Sequence, residues 1–114
     1  MPRTYTGIVQ KGAERGRMLG YPTANIPLRG LESGIFAARV SIDKGMYLAA
    51  VFADENREVL EAYLLDYVGD LYGKEISVTL HKKIRESQKF PDDTALKLAI
   101  AGDISAVRAH FTSA

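Results

Sequence analysis

The chain contains no cysteine, and this absence excludes several ways of stabilising a fold or holding a metal. Without thiols there is neither a disulfide framework nor a thiolate zinc site, so the fold must be stabilised by packing. Any bound metal must take oxygen or histidine ligands. The sequence therefore predicts an ordinary packed core and, if a cation binds, a hard one.

A strong charge of one sign and a long apolar run are also lacking. Fifteen basic and fourteen acidic residues leave a net charge of +1, which gives no field that would favour nucleic acid as the principal partner. No run approaches the roughly 18 apolar residues that cross a bilayer, and the N-terminus lacks the apolar stretch of a signal peptide. We expect a cytoplasmic monomer with neither a membrane nor a nucleic-acid partner.

The overall composition is that of a globular domain. The 114 residues are 46% apolar and 25% charged, a balance typical of folded proteins with one hydrophobic core. This length is near the commonest size of a domain. We expect residues 1–114 to form a single domain.

Periodicity predicts short strands followed by a helix. Alternating apolar residues and turn signals predict strands over 5–10, 34–42, 46–53, 58–67 and 75–84, with a tight turn at Lys44–Gly45. Helix is the alternative for 58–67, because Glu, Leu and Ala favour it. Asp92 or Asp93 is the expected N-cap of a later helix. Gly102–Asp103 is expected to interrupt this helix, so that a second short helix or a kinked continuation follows. This order indicates a mainly β fold, a small antiparallel barrel with a helix on one side.

Residues 12–25, GAERGRMLGYPTAN, form a glycine-rich segment that does not fit a regular element. Glycines allow positive φ and bring backbone N–H groups close to a ligand, which suits a phosphate. Lys11, Arg15 and Arg17 can add charge-assisted hydrogen bonds to a polyphosphate. A plain surface loop is the alternative, since the segment is neither a Walker loop nor a dinucleotide fingerprint.

The end of this segment offers oxygen ligands. Thr23 and Asn25 stand two apart, so in an extended segment both side chains point to the same side. Magnesium accepts such neutral oxygens, and Pro22 fixes φ immediately before the pair. The spacing predicts a site for Mg²⁺ or another divalent cation.

Recognisable motifs run along nearly the whole chain. The string GRMLGYPTANI resembles the G-R-x-L-G-x-P-T-A-N-I signature of the riboflavin kinase (flavokinase) family, which also forms the C-terminal half of bacterial bifunctional FAD synthetases. Similar elements follow in the family's order: GIFA at 34–37, LEAYLLDY at 60–67, DLYG at 70–73, RESQKF at 85–90, and Asp103 in an I-x-x-D element.

The resemblance implies a fold, a reaction and its partners. The fold would be a six-stranded antiparallel Greek-key barrel with a C-terminal helix. The reaction would transfer the γ-phosphoryl group of ATP, the co-substrate, to the 5'-hydroxyl of riboflavin. The partners would thus be riboflavin, FMN, ATP and ADP, together with Mg²⁺ or another divalent cation.

The resemblance also assigns residues to these partners. Glu61 and Asn25 are the implied catalytic residues, with Glu61 as general base. Thr23 and Asn25 would ligate or orient the magnesium and the nucleotide phosphates. Arg85 would contact the product phosphate, and Phe90 the flavin ring. The implied nucleotide-binding residues are Lys11, Gly12, Gly16, Arg17, Gly20, Pro22 and Thr23.

The chain departs from the family pattern at three places. The usual N-x-G-x-x-P-T-F-like stretch is missing before Glu61, Tyr63 replaces a His, and Ser87 replaces the Glu of R-x-E-x-x-F. These changes keep a second hypothesis open, a flavin- or nucleotide-binding module that has lost turnover. A third, a nucleic-acid-binding barrel of the OB type, predicts interleaved aromatic and basic residues on one sheet face, which the chain does not clearly show.

Overall fold

The described part of the chain folds into six strands and one helix. The computed structural model describes residues 3–10, 23–30, 32–67 and 69–112. The elements are β1 (Arg3–Ile8), β2 (Ala24–Pro27), β3 (Gly34–Ile42), β4 (Gly45–Asp54), β5 (Val59–Leu64), β6 (Glu75–Arg85) and α1 (Asp93–Thr112). Within those described residues, no helix has both the length and the apolar character needed to cross a membrane.

The strands form one antiparallel sheet that curls into a nearly closed barrel. Their order is β1-β6-β3-β4-β5-β2, so β1 and β2 each pair with a strand distant in sequence, as in Greek-key folds. The two edge strands approach closely: a Cβ added to Gly7 in β1 would lie 3.2 Å from the Cβ of Ile26 in β2. Glycine therefore permits the barrel to draw its edges together. The expected six-stranded Greek-key barrel with a C-terminal helix is confirmed.

The inner face of the barrel holds the main core. Strand alternation points one set of apolar side chains inward. Full burial of each such side chain stabilises the fold by about 1.5–3 kcal/mol relative to exposure. The large side chains that are almost fully buried inside the barrel are Ile26, Val40, Val51, Leu60, Ile76 and Val78.

The helix packs on the outer face of the barrel, where it buries a second cluster. Ala37, Leu65 and Val107 are its fully buried members. Asp92 caps the helix, since its Oδ1 accepts a hydrogen bond from the Ala95 N–H at 2.8 Å. Of the two outcomes predicted for Gly102–Asp103, a second short helix is wrong: α1 continues to Thr112, because packing on the sheet outweighs the weak helix propensity of one glycine.

Two β-bulges bend β6 around this helix. The register with β3 shifts between Ile35 and Phe36 and again between Ala37 and Ala38, which leaves Ile84 and His81 as extra residues in β6. Ile84 joins the cluster beneath the helix, and the ring of His81 contacts Phe111 edge-on at 5.2 Å. The strict alternation predicted for β6 therefore fails beyond Leu80.

Two predicted boundaries and one predicted alternative need correction. The first strand ends two residues earlier than predicted, because the chain leaves β6 after Ile8 and Gln10 pairs with Asn25 instead. The hairpin turn is Asp43–Lys44, since Ile42 pairs with Gly45 and Asp43 adopts a φ of 51°. The helical alternative for 58–67 is wrong, because that segment contributes β5.

One strand was not predicted at all. β2 is only four residues long and ends in a proline, so alternation and propensity give almost no signal there. Its pairing with β5 places Asn25 in a strand instead of a loop. This placement determines the geometry of the site.

Candidate active site on the outer face of the barrel

One row of directly opposed residues crosses five strands on the outer face of the barrel. Successive pairs are Arg85–Ile35, Ile35–Phe52, Phe52–Glu61 and Glu61–Asn25. Opposed residues have Cβ atoms about 4.5–5.5 Å apart, and neighbouring strands are about 4.8 Å apart, so this cross-strand row is roughly 19 Å long. It connects every described residue predicted to be catalytic with the predicted flavin-binding Arg85.

A cavity of about 300 Å³ lies over the cross-strand row, between the sheet and the first half of α1. One end is polar, with Thr23 and Glu61 in its wall. The other walls are mostly apolar and belong to the sheet, the helix and the segment that connects them: Ile35, Ala50, Phe52, Phe90, Leu96 and Ile100. A flat apolar molecule with a polar tail fits such a division.

Glu61 is the ionisable group at the polar end. Its side chain is only 14% exposed, and an Arg57 Nη2 lies 4.0 Å from its Oε2. Burial raises the pKa of the Glu61 carboxyl above its usual value; the positive charge of Arg57 opposes this rise, and the nearby Asp54 adds to it. A carboxyl with a raised pKa beside a cavity is suited to accept a proton.

Asn25 is buried opposite Glu61 with an unused acceptor. It is 7% exposed, and its Oδ1 has no hydrogen-bond partner in the described part of the chain. An unpaired buried acceptor costs about 1–3 kcal/mol, so it indicates a functional site or an absent ligand. Asn25 itself does not line the cavity; its cross-strand partner Glu61 does.

The side-chain oxygens of Thr23 and Asn25 are of the kind that magnesium accepts. The described residues contain no group of three or more His, Asp or Glu side chains placed to hold a metal. Magnesium does not need such a cage, because it is usually held by one or two protein oxygens and completes its shell with water and phosphate. The neutral oxygens of Thr23 and Asn25 are compatible with a site of this kind.

Arg85 ends the cross-strand row on the side of the helix. Its Nε and Nη2 donate to Oδ1 and Oδ2 of Asp103, each at 2.8 Å, and its guanidinium carbon lies 5.6 Å from the ring centroid of Phe90. The structure thus brings the two predicted flavin-binding residues together. Contact of Arg85 with a product phosphate stays a prediction.

Gly34 is required by the position of Arg85. It has a φ of 108°, and a Cβ there would lie 2.7 Å from the carbonyl oxygen of Arg85. A side chain would therefore be strained by the backbone and would push against the end of β6. The glycine that opens the GIFA motif thus allows β3 to approach Arg85.

Sequence reasoning missed two residues that the structure adds to the site. Asp103 was noticed only as part of a family element, and Arg57 was not singled out. The available signal for Asp103 was an acid in the middle of a helix beside apolar neighbours. Nothing in the local sequence pairs Arg57 with Glu61 beyond a spacing of four.

Several predicted nucleotide-binding residues lie outside the described residues. Their roles therefore stay predictions. These residues are Lys11, Gly12, Gly16, Arg17, Gly20 and Pro22, and Arg15 belongs with them.

Comparison with known proteins decides the family. A family model described as Flavokinase, riboflavin kinase, matches residues 1–111. The chain belongs to the riboflavin kinase family. It is 36% identical over 118 residues to the bifunctional riboflavin kinase/FMN adenylyltransferase of Pseudomonas fluorescens, a match that covers 95% of the chain and 38% of that protein. The chain thus spans less than half the length of that relative.

Two solved structures resemble this chain. A protein from Streptococcus pneumoniae, described as a macrolide-efflux protein, matches 94% of the chain and 38% of its own length with a TM-score of 0.86 and 28% identity. The riboflavin kinase of Trypanosoma brucei matches 98% of the chain and 81% of its own length, with a TM-score of 0.71 and 22% identity. The second likeness supports the barrel fold.

Proposed function

We propose that this chain is a riboflavin kinase that transfers the γ-phosphoryl group of ATP to the 5'-hydroxyl of riboflavin, giving FMN and ADP. The proposal rests on one observation above the others. Glu61, mostly buried and with a raised pKa, lines the polar end of an apolar cavity, and it directly opposes Asn25, whose buried Oδ1 has no partner among the described residues. Membership of the flavokinase family gives this arrangement its substrates.

Phosphoryl transfer depends mainly on positioning and on the neutralisation of charge. The Glu61 carboxylate accepts the proton of the 5'-hydroxyl while the hydroxyl oxygen forms a bond to the γ-phosphorus. The bond from that phosphorus to the bridging oxygen breaks, and the electron pair leaves with ADP. Burial of Glu61 favours this step, because it makes the carboxylate a stronger base.

Thr23 and Asn25 would hold Mg²⁺ with the phosphates of ATP. When bound, the ion neutralises charge on the phosphoryl group. Asn25 lies directly across the β2–β5 pair from Glu61, so the group to be transferred and the base would meet at one end of the cross-strand row. The buried position of Asn25 fixes its side chain before a ligand binds.

The apolar end of the cavity would receive the flavin ring. Phe52 and Phe90 lie on two sides of it, and Leu96 and Ile100 come from the helix. Aromatic and aliphatic walls favour a flat ring system. With the ring at that end, the polar tail of riboflavin extends along the row toward Glu61.

The decisive experiment mixes purified protein with ATP, Mg²⁺ and riboflavin and measures FMN by chromatography. We expect FMN from the wild type. Glu61→Gln should reduce turnover by about 10²- to 10⁴-fold, the usual contribution of a general base. ADP should still raise the melting temperature of this variant, because Glu61 is not proposed to bind the nucleotide.

Two results would contradict the proposal. Riboflavin binding without FMN formation, across several divalent metals, would show a binding module that has lost turnover. If neither riboflavin nor Mg·ADP changes the melting temperature, the site binds neither substrate.

A further inference from the structure

Asp103 is an acidic residue in an unusual place. It lies midway along α1, it is only 6% exposed, and it faces the sheet. Its two carboxylate oxygens accept two hydrogen bonds from Arg85, both of 2.8 Å. The two parallel hydrogen bonds fix the relative orientation of the two side chains. Removal of one partner would leave the other charge buried without a counter-charge, which is strongly destabilising.

The guanidinium of Arg85 has two further contacts, and both hold one segment. Its Nη1 donates to the carbonyl oxygen of Glu86 at 3.1 Å, and its plane lies near the ring of Phe90 at 5.6 Å. Residues 86–92 connect β6 to α1 without regular structure. We call them the 86–92 segment. Arg85 thus contacts both the beginning of this segment and its aromatic side chain.

We propose that Asp103 is a positioning residue for the acceptor: by fixing Arg85 it holds the 86–92 segment, and with it Phe90, as a wall of the cavity. The part of this inference that concerns riboflavin rests on the proposed function. The part that concerns the segment does not, because it follows from contacts within the protein.

The position of the pair predicts which substrate it affects. Arg85 is three strands from Glu61 along the cross-strand row, which is about 14 Å. Within the protein, the guanidinium of Arg85 is engaged by Asp103 and lies near Phe90, at the apolar end of the cavity. Loss of Asp103 should therefore impair binding of the flavin ring and leave nucleotide binding almost unchanged.

A ligand-free experiment tests the segment itself. Trypsin can cut after Lys89, an exposed residue of the 86–92 segment. We expect Asp103→Ala to increase the rate of this cut roughly tenfold, because the segment loses its anchor. Asp66→Ala is the matched control, since it removes another ion pair of the same helix, the exposed contact of Arg108 with Asp66 at 3.2 Å. The control should be cut like the wild type.

The second experiment compares the two substrates. For Asp103→Ala we expect riboflavin to bind roughly 10- to 100-fold more weakly, the size of effect that a misplaced wall produces. The affinity for Mg·ADP should stay within about twofold, and kcat at saturating riboflavin within about threefold, which a general loss of structure would not allow. Asp103→Asn keeps one acceptor for Arg85, so its affinity for riboflavin should lie between those of the wild type and Asp103→Ala.

If Asp103→Ala does not fold, the double variant Arg85→Met with Asp103→Leu replaces the buried pair by apolar side chains, an exchange that proteins often tolerate. It should show the same faster cut and the same selective loss of riboflavin binding. An unchanged rate of cutting overturns the inference, and so does an equal loss of riboflavin and Mg·ADP affinity. Failure of the wild type to bind riboflavin counts against the proposed function alone, because the trypsin experiment still tests whether Asp103 and Arg85 hold the 86–92 segment.

Discussion

Replacement of Asn25, whose Oδ1 has no partner among the described residues, should raise the stability of the ligand-free protein and reduce its stabilisation by Mg²⁺ and ADP. Asn25→Leu replaces the amide by an apolar side chain of similar size. In the absence of metal the variant should be more stable than the wild type, because a buried acceptor without a partner costs about 1–3 kcal/mol. For a domain slightly above 100 residues, 1 kcal/mol corresponds to about 4 °C in melting temperature.

Addition of Mg²⁺ and ADP should reverse part of this difference. A ligand at 100 times its Kd stabilises the folded protein by about 2.7 kcal/mol, which is roughly 10 °C on the same scale. The wild type should gain this amount, whereas Asn25→Leu should lose the part of the shift that depends on Mg²⁺. In an assay in which the wild type forms FMN, Asn25→Leu should form no detectable FMN in the same time.

The assay is thermal unfolding in EDTA, in Mg²⁺, and in Mg²⁺ with ADP. Asn56, the chain's other asparagine, is exposed in the β4–β5 turn, so Asn56→Leu is the matched control and should keep the full ligand response. The reasoning is refuted if Asn25→Leu melts below the wild type in EDTA, since the amide would then be supporting the fold through a hydrogen bond. A full Mg²⁺-dependent shift in the variant would refute the proposed metal contact.

Two further predictions follow from the neighbours of the site. In the pH profile of kcat/KM, activity should fall on the acid side as Glu61 becomes protonated. Arg57→Met should move this acid-side fall to higher pH, because it removes the positive charge that lowers the Glu61 pKa. Asp54→Asn should move the fall to lower pH, because it removes the negative charge that raises the Glu61 pKa. Gly34→Ala should reduce the free energy of unfolding by about 1–3 kcal/mol, because its φ of 108° strains a side chain that also meets the Arg85 carbonyl; equal denaturation midpoints for Gly34→Ala and the wild type would contradict this.

Most of the fold could be predicted from the sequence, because most strands follow the alternating pattern. Residues 34–42 of β3 and 75–80 of β6 show it clearly. The pattern failed where the pairing partner decides the structure: β2 is too short to have a period, and the bulges at His81 and Ile84 depend on the curvature around α1. The second short helix considered after Gly102 does not form, because local propensity carries no information about packing.

The candidate site was predictable only in part, for a related reason. The family signature identified Thr23, Asn25 and Glu61, but only the β2–β5 register shows that Asn25 and Glu61 are opposed. The pair of Arg85 and Asp103 joins residues 18 apart on different elements, which no local pattern indicates. Burial of Glu61, the main cause of its raised pKa, likewise depends on tertiary structure.

The cross-strand row separates the two halves of the proposed reaction onto different parts of the fold. Glu61 and Asn25 belong to β5 and β2, whereas the acceptor walls come from β3, β4, the 86–92 segment and α1. Two departures from the family pattern, Tyr63 and Ser87, both line the cavity, and neither alters a residue proposed to take part in the transfer. We therefore expect these departures to change which flavins are accepted, through KM, while the transfer step keeps its dependence on Glu61. A wild-type protein that phosphorylates a ring-modified flavin better than riboflavin, and loses both activities in Glu61→Gln, would show this separation directly.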